Sequence, residues 1–481
     1  MADIHKIIGR KREQRLMQEY YDSAKAELIA IYGRRRVGKT FLVKQFFNEK
    51  FDFFFTGTLG APRTTQLTLF RQELERHSGQ RHPQPKNWFE AMEQLRSYLS
   101  SLDKEKLVVF IDEMPWLDTP KSNFLAAFSY FWNMWGSTRK GLKIFVCGSA
   151  TTWMISKLIG DRGGMHGRVN RQIHLRPFTL GETESFLQNK GFDWNRYQIT
   201  EAYMTMGGIP YYLDMLESSL SLDENIDTLF FGDGAVLATE FDFIFRSLFN
   251  NSSVYRQVVE TLSHHSLGMT RSEIQQTLHL PQGGLLTEVL DNLRRCDFVR
   301  QYKAFGKKER GQIFQLTDLF TLFHLRFVDQ SNSQDDNYWQ NMIDNPARNS
   351  WQGHAFEQVC LLHVQQIKQK LGITGVLSEV CSWCSQPFVD SDGNKHKGTQ
   401  IDMVIDRRDK TINLCEMKFT NKKFSLSQDY AQTLIRRRET FRALTATTKS
   451  LHTTLITTYG LAGFKHNDAV QREVTMDDLF A

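Results

Sequence analysis

No apolar run in this 481-residue chain approaches 18 residues, so nothing in it reads as a membrane span. The first residues, Met1-Ala2-Asp3-Ile4-His5, carry no apolar stretch behind them and do not read as a signal peptide. Cysteine is sparse: six scattered thiols provide no disulfide framework and read as reduced groups of a cytoplasmic protein. There is no low-complexity tract and no internal repeat, which excludes a repeat array. Charge of one sign is also scarce, with a net of only +6. That excess is local. Ser391 to Ser450 holds 13 Lys+Arg against 7 Asp+Glu, a net of +6, so the rest of the chain is neutral. A basic C-terminal region suits a polyanionic partner, and it also suits an ordinary solvated face.

What is present is a 41% hydrophobic, 24% charged chain. It is too long for one ordinary core and implies several domains. The fold class is α/β. Glu27 to Tyr32, Phe51 to Phe55, Leu107 to Ile111 and Ile144 to Cys147 are short apolar runs alternating with helical stretches such as Trp88 to Leu102. That alternation predicts a parallel sheet covered on both faces. Glu182 to Leu213 and Thr239 to Phe249 read as helical. From Tyr255 to Thr317 the pattern is three helices, then two strands around a turn at Gly306-Lys307-Lys308. The polar stretch Ser331 to Asn337 marks a boundary. Beyond Trp351 the pattern is a helix (Ala355 to Lys370), strands at Ile401 to Ile405 and Ile412 to Met417, and a helix from Gln428 to Leu444. The resulting domain limits are 1–180, 181–250, 251–330 and 350–481.

Gly33-Arg34-Arg35-Arg36-Val37-Gly38-Lys39-Thr40 fits G-x-x-x-x-G-K-[ST] between a strand and a helix. Such a loop closes backbone N–H groups around phosphates and adds the positive end of a helix. Lys39 is expected at the β- and γ-phosphates of ATP, and the Thr40 hydroxyl at Mg²⁺. Leu107 to Ile111 then delivers Asp112 and Glu113 to the carboxyl end of a strand, the edge where open α/β sheets bind ligands. Asp112 is expected to hold Mg²⁺, and Glu113 to orient and deprotonate the attacking water. Ile144 to Cys147 leads to Gly148-Ser149-Ala150, where Ser149 either senses the γ-phosphate or lies in a small-residue turn.

These elements, with Ile8-Gly9-Arg10-Lys11-Arg12-Glu13 and Gly208-Ile209-Pro210-Tyr211-Tyr212-Leu213, resemble the archaeal-type ATPases, AAA-related P-loop proteins close to the STAND switch ATPases. Gly164-Met165-His166-Gly167-Arg168, followed by Ile173 to Phe178, is similar to their segment after the sensor strand. The resemblance covers about residues 1 to 330 and implies a P-loop domain, a helical lid and a winged helix. It also implies that Gly9 and Arg10 lie near the adenine. Arg168 either approaches the γ-phosphate or anchors a loop.

A second constellation lies near the C-terminus. Period-two alternation puts Asp402 and Val404 on one strand face, and Glu416 and Lys418 on one face of the next. Glu357 lies upstream on a helix. Residues 350 to 450 resemble the PD-(D/E)XK nuclease fold, the restriction-endonuclease-like α/β architecture, although Ile401 stands where the family's proline usually precedes the first Asp. The resemblance implies a second divalent metal on Asp402 and Glu416, a water oriented by Lys418, and a contribution from Glu357. The plain alternative is a hairpin face with a Glu416–Lys418 ion pair. Lys422-Lys423 and Arg436-Arg437-Arg438 either contact a phosphate backbone or form a solvated face.

Cys381-Ser382-Trp383-Cys384 is one C-x-x-C. Structural zinc needs four ligands, and Cys360, His354 and His396 lie at no motif spacing, so free thiols are expected. His264-His265 reads as a helix-end or surface pair. The whole reads as an ATP-hydrolysing switch acting on DNA through its C-terminal domain. The alternative is a nucleotide-gated regulator that grips DNA, a protein partner or another copy of itself without cutting.

Overall fold

The computed structural model describes residues 7–160, 165, 167–249, 252–306, 311–331, 335–389, 395–396, 398–463 and 468–481. Met1 to His5, Gly164, His166, Lys307, Lys308 and 332–334, all invoked above, lie outside the described residues. Two compact units divide the chain. Unit 1 is Met1–Phe178 with Ile209–Tyr211; unit 2 is Thr179–Gly208 with Tyr212–Ala481. The stretches expected as lid, winged helix and C-terminal domain therefore share one unit. No helix among the described residues is long and apolar enough to cross a membrane.

Unit 1 is built on β1 (Glu27–Tyr32), β2 (Phe53–Thr56), β3 (Leu107–Asp112), β4 (Leu142–Gly148) and β5 (Arg171–His174), in the order β2-β3-β4-β1-β5. Every pairing is parallel. β3 and β4 are buried at all positions, which is why their sequences are nearly unbroken apolar runs. Helices Lys39–Phe46, Arg63–Ser78, Trp88–Ser101 and Phe124–Met134 belong to the same unit. Trp88–Ser101 begins where Asn87 Oδ1 accepts the Glu90 N–H at 3.0 Å, and its first residue sinks Trp88 into the core. Trp88 lies edge-on to Phe70 and Phe124, with ring centroids 5.7 and 4.9 Å apart.

In unit 2, helices Leu180–Asn189, Arg196–Met206 and Leu222–Phe230 each start with a capping box, at Thr179, Asn195 and Ser221. Next come helices Ser252–Ser263, Arg271–Thr277 and Leu285–Arg295 with β6 (Met269–Thr270), β7 (Val299–Lys303) and β8 (Gln312–Leu316), an antiparallel sheet of order β6-β8-β7. The last sheet contains β9 (Ser378–Ser385), β12 (Thr399–Arg407), β13 (Thr411–Lys418), β14 (Ser450–Thr457) and β15 (Arg472–Thr475), in the order β15-β14-β13-β12-β9. β9, β12 and β13 run antiparallel, and β13, β14 and β15 run parallel. A separate ribbon pairs β10 (Phe388–Val389) with β11 (Lys395–His396).

The helix read as Ala355 to Lys370 is two helices, Pro346–Leu362 and Val364–Lys370. Buried His363 marks the break. Its Nε2 accepts the Leu180 N–H at 2.9 Å, and its Nδ1–H donates to the Val359 carbonyl at 2.8 Å. Burial holds the ring pKa down at about 4, so it stays neutral and can serve both partners. β7 does not end free. The Phe305 N–H donates to the Ser382 carbonyl of β9 at 3.0 Å, and the Phe305 ring meets Phe441 at 4.8 Å.

Candidate functional site

The phosphate loop follows β1 directly. Gly33 has φ +145°, and a Cβ there would lie 2.1 Å from the Leu175 carbonyl oxygen, so only glycine fits. Gly38 (φ +88°) turns the chain into helix Lys39–Phe46. Lys39 is buried, and its Nζ donates to the carbonyls of Gly33 and Arg34, both at 2.9 Å. Burial lowers its pKa, while Cys147, Glu113 and Asp112 pull it back up. Arg34 is buried; Arg35 is half-buried; the Arg36 guanidinium lies 4.0 Å over the Tyr211 ring.

Thr40 sits one residue on, where its Oγ1 donates to Asp112 Oδ2 at 2.8 Å. The Glu113 N–H donates to Asp112 Oδ1 at 2.9 Å, and the Cys147 thiol donates to the same oxygen. Burial, with Asp112 beside it, pushes the Cys147 thiol well up, so it remains a protonated donor. Cys147 is a partner of the site that the sequence reading missed; its place one strand over from Asp112 was the available signal. Glu113 is strained into the left-handed region (φ 45°). Its Oε2 accepts the Ser149 N–H at 3.0 Å and the Ser149 Oγ–H at 2.9 Å. Lys39, Thr40, Asp112, Glu113 and Ser149 are thus brought together at the carboxyl ends of β1, β3 and β4.

Gly9 and Arg10 form a left-handed turn (φ 66° and 53°). Arg10 is buried, donates to the Arg176 carbonyl at 2.6 Å and the Val37 carbonyl at 3.1 Å, and lies over the Phe178 ring. It therefore ties the N-terminal turn to the phosphate loop. Arg168 is not among these groups: its Nε donates to Asn133 Oδ1 at 2.6 Å, an amide rather than an acid.

A family model described as an ATPase domain predominantly from Archaea matches residues 8–216. The chain carries an ATPase domain of the archaeal type. The matched stretch contains the phosphate loop, Asp112, Glu113 and Ser149. An uncharacterized protein of Methanocaldococcus jannaschii is 23% identical over 426 residues, 87% of this chain and 88% of the relative. An uncharacterized ATP-binding protein of that organism is 44% identical over 50 residues, 10% of this chain and 85% of the relative. Among solved structures, a Walker-type ATPase of Pyrococcus abyssi aligns with a TM-score of 0.48 and 17% identity over 68% of this chain and 98% of that one. The ORC2 protein of Aeropyrum pernix, in ADPNP and ADP complexes, aligns with a TM-score of 0.40 and 16% identity over 71% and 97%.

The second constellation lies in unit 2. Met403 pairs with Cys415 and Val404 with Leu414 across β12 and β13; Asp402 and Glu416 are the residues that flank the Met403–Cys415 pair at one end. The ladder from β12 to β9 slips between Ile401 and Val404, so the strict alternation read from sequence breaks at Asp402. Burial, with Glu357 and Glu416 beside it, pushes the Asp402 carboxyl up to about 7 against the opposing pull of Gln400 and Lys418. Glu357, Glu416 and Lys418 thus all act on Asp402. Gln400 Nε2 donates to Asp402 Oδ1 at 3.0 Å, and His354 lies 3.4 Å from Glu357.

Glu416 is buried. Lys418 Nζ lies 2.9 Å from its Oε1, and Arg437 lies 2.5 Å from its Oε2. The Tyr430 hydroxyl donates to Oε1. Tyr430 was missed, although Tyr430 and Arg437 are seven residues apart and so share a face of helix Gln428–Thr445. The three successive arginines diverge: Arg437 meets Glu416, Arg438 meets the Asp468 carbonyl, and Arg436 is exposed. Among the described residues no three His, Cys, Asp or Glu side chains form a ready metal cage. Cys381 and Cys384 lie on β9, one buried and the other exposed, so they do not face a common ion.

Proposed function

We propose that the chain is an ATP-hydrolysing switch whose C-terminal sheet is a DNA-directed, metal-dependent nuclease-like domain. For the ATPase half, the Thr40–Asp112 hydrogen bond beside Lys39 supports the site. Thr40 Oγ1 and Asp112 would hold Mg²⁺ with the nucleotide. Lys39 would exchange its two carbonyls for phosphate oxygens. Glu113 would accept the proton of the attacking water once Ser149 releases it.

For the C-terminal half, the carrying observation is that Asp402 and Glu416 flank the Met403–Cys415 pair on neighbouring strands, with the charges of Glu357, Glu416 and Lys418 acting on Asp402. These hard oxygen donors fit a divalent cation. When bound, that ion would polarise the scissile phosphate. Lys418 would orient the attacking water, and exposed Lys422, Lys423 and Arg436 would meet the backbone.

The mixed sheet supports a restriction-endonuclease-like reading, and the arrangement of residues 251–330 supports a winged helix. β7 of that winged helix is engaged by β9, and Glu288 and Asp291 stand on its second long helix, so packing rather than groove reading is its role. Control would pass through a polar cluster inside unit 2. Arg348, on the helix that carries Glu357, pairs with Asp223 at 2.8 Å; Gln352 donates to Glu201 at 2.5 Å. Any shift of helix Arg196–Met206 would then pull on the Glu357 helix.

The test is cleavage of duplex DNA with Mg²⁺ or Mn²⁺, with and without ATP. Activity lost in Asp402→Ala and altered in Lys39→Ala supports the proposal. One observation favours the competing reading of a binding-only domain: both Glu416 oxygens already carry cationic partners. Metal-independent DNA binding without cleavage would establish that reading instead.

A further inference from the structure

The donors around Glu416 do more than neutralise it. Its carboxylate is 5% exposed, and its two oxygens take an ammonium, a guanidinium and a phenol. In this arrangement three donors hold the Glu416 carboxylate, two on Oε1 and one on Oε2, and an incoming ion must compete with them. The helix bearing Tyr430 and Arg437 is fixed: Leu434 and Phe441 are buried, the Phe441 ring meets Trp383 at 5.0 Å, and Ser427 caps the first turn. The Arg437 side chain is 27% exposed and Lys418 35%, so both reach solvent from a buried partner.

We infer that Arg437, with Tyr430, stands in for the cation on Glu416 and turns to a DNA phosphodiester when a divalent ion takes Glu416. This inference rests on the metal-site reading above and adds a phosphate-contacting role to two residues outside it. The charge count favours the exchange. Glu357, Asp402 and Glu416 supply three carboxylates, and Lys418 and Arg437 supply two cations. A dication on Asp402 and Glu416 would make the guanidinium redundant there and leave it beside an incoming phosphate. A planar guanidinium meets a phosphate through two parallel hydrogen bonds, which an ammonium cannot do. The Tyr430 hydroxyl, which donates to Glu416 Oε1, is the second donor that the ion displaces.

The experiment uses the full chain without nucleotide. Mn²⁺ binding is measured by calorimetry, and the part lost in Asp402→Ala is assigned to this site. Binding of a duplex oligonucleotide is measured in Ca²⁺. Arg437→Ala removes a competitor of the metal, so Mn²⁺ should bind more tightly, on the order of tenfold, while DNA binds more weakly by a similar factor. Arg437→Lys should keep Mn²⁺ affinity near wild type and still weaken DNA binding. Tyr430→Phe should tighten Mn²⁺ by a smaller factor. A purely structural Arg437 would weaken both ligands together. Loss of Mn²⁺ affinity in Arg437→Ala, or no change in either ligand while Asp402-dependent Mn²⁺ binding persists, overturns the inference and leaves the metal site standing. Absence of Asp402-dependent Mn²⁺ binding in the wild type overturns both.

Discussion

Glu201 sits where helix Arg196–Met206 meets helix Pro346–Leu362, with its side chain 14% exposed. Burial pushes its pKa from the ordinary 4.5 to about 7, against the pull of Arg348 3.8 Å away, whose guanidinium is shared with Asp223. The unfolded chain releases this proton near pH 4.5, whereas the folded chain keeps it until about pH 7. Between those values the native state binds more protons, so stability falls as pH rises, by about 1.4 kcal/mol per pH unit. The loss levels off above pH 7 at up to about 3 kcal/mol. Glu201→Gln holds the neutral form at every pH, and its amide nitrogen or oxygen can still meet Gln352. The variant should therefore match wild type near pH 4.5 and exceed it at pH 8.5 by up to about 3 kcal/mol. Urea unfolding of both proteins at the two pH values measures this, and contributions common to both, such as buried neutral His363, cancel in the difference. If Glu201→Gln is the less stable protein at pH 8.5, Glu201 is an ionised partner of Arg348 and the reasoning fails.

Three further outcomes concern the ATPase half. Lys39→Ala should lower ATP turnover at least about a hundredfold, because it deletes the cation meant for the phosphates; normal turnover in a phosphate-release assay would refute the site. Glu113→Gln should keep nucleotide affinity, since its amide oxygen can still accept from Ser149, but slow hydrolysis about 10²- to 10⁴-fold; parallel binding and single-turnover measurements separate the two effects. Gly33→Ala puts a methyl 2.1 Å from the Leu175 carbonyl at a φ of +145°, so the loop must distort and ATP binding should fall with it. Wild-type affinity in that variant would mean that β5 yields easily.

The phosphate site was legible because its signals are local. A loop of eight residues and two acids at a strand end specify their chemistry within short windows. β1, β3 and β4 also showed themselves, since strands buried on both faces must be apolar throughout. β5, β9, β14 and β15 did not. Arg171–His174 and Arg472–Thr475 are short and polar, and their strand character comes from their partners in the sheet. Cys381 to Cys384 drew attention as ligand spacing, whereas it is the middle of a strand. The C-terminal acids were legible as a pair, but not the slip at Asp402 or the occupation of Glu416 from a helix 14 and 21 residues away. Such contacts depend on which helix covers which strand, and no periodicity carries that information. The break at His363 is similar, because the residue that ends one helix serves the first turn of another 183 residues earlier.

The helix Leu180–Asn189 leans on a partner made almost 300 residues later. A Cβ on Gly181 would strike the Phe480 carbonyl oxygen at 2.4 Å, and Arg196 reaches Asp477 at 3.2 Å while covering the Phe480 ring at 4.7 Å. During synthesis at about 5–20 residues per second, that helix waits roughly 15–60 s before the turn Met476–Phe480 leaves the ribosome. Throughout that interval the face meant for Phe480 stays bare, and for the first part of it so does the Leu180 N–H meant for His363. Unit 1, ending at Phe178 apart from one short return, can assemble meanwhile. The nascent chain therefore spends much of its growth with the front half able to settle while the back half still lacks contacts that its last residues supply.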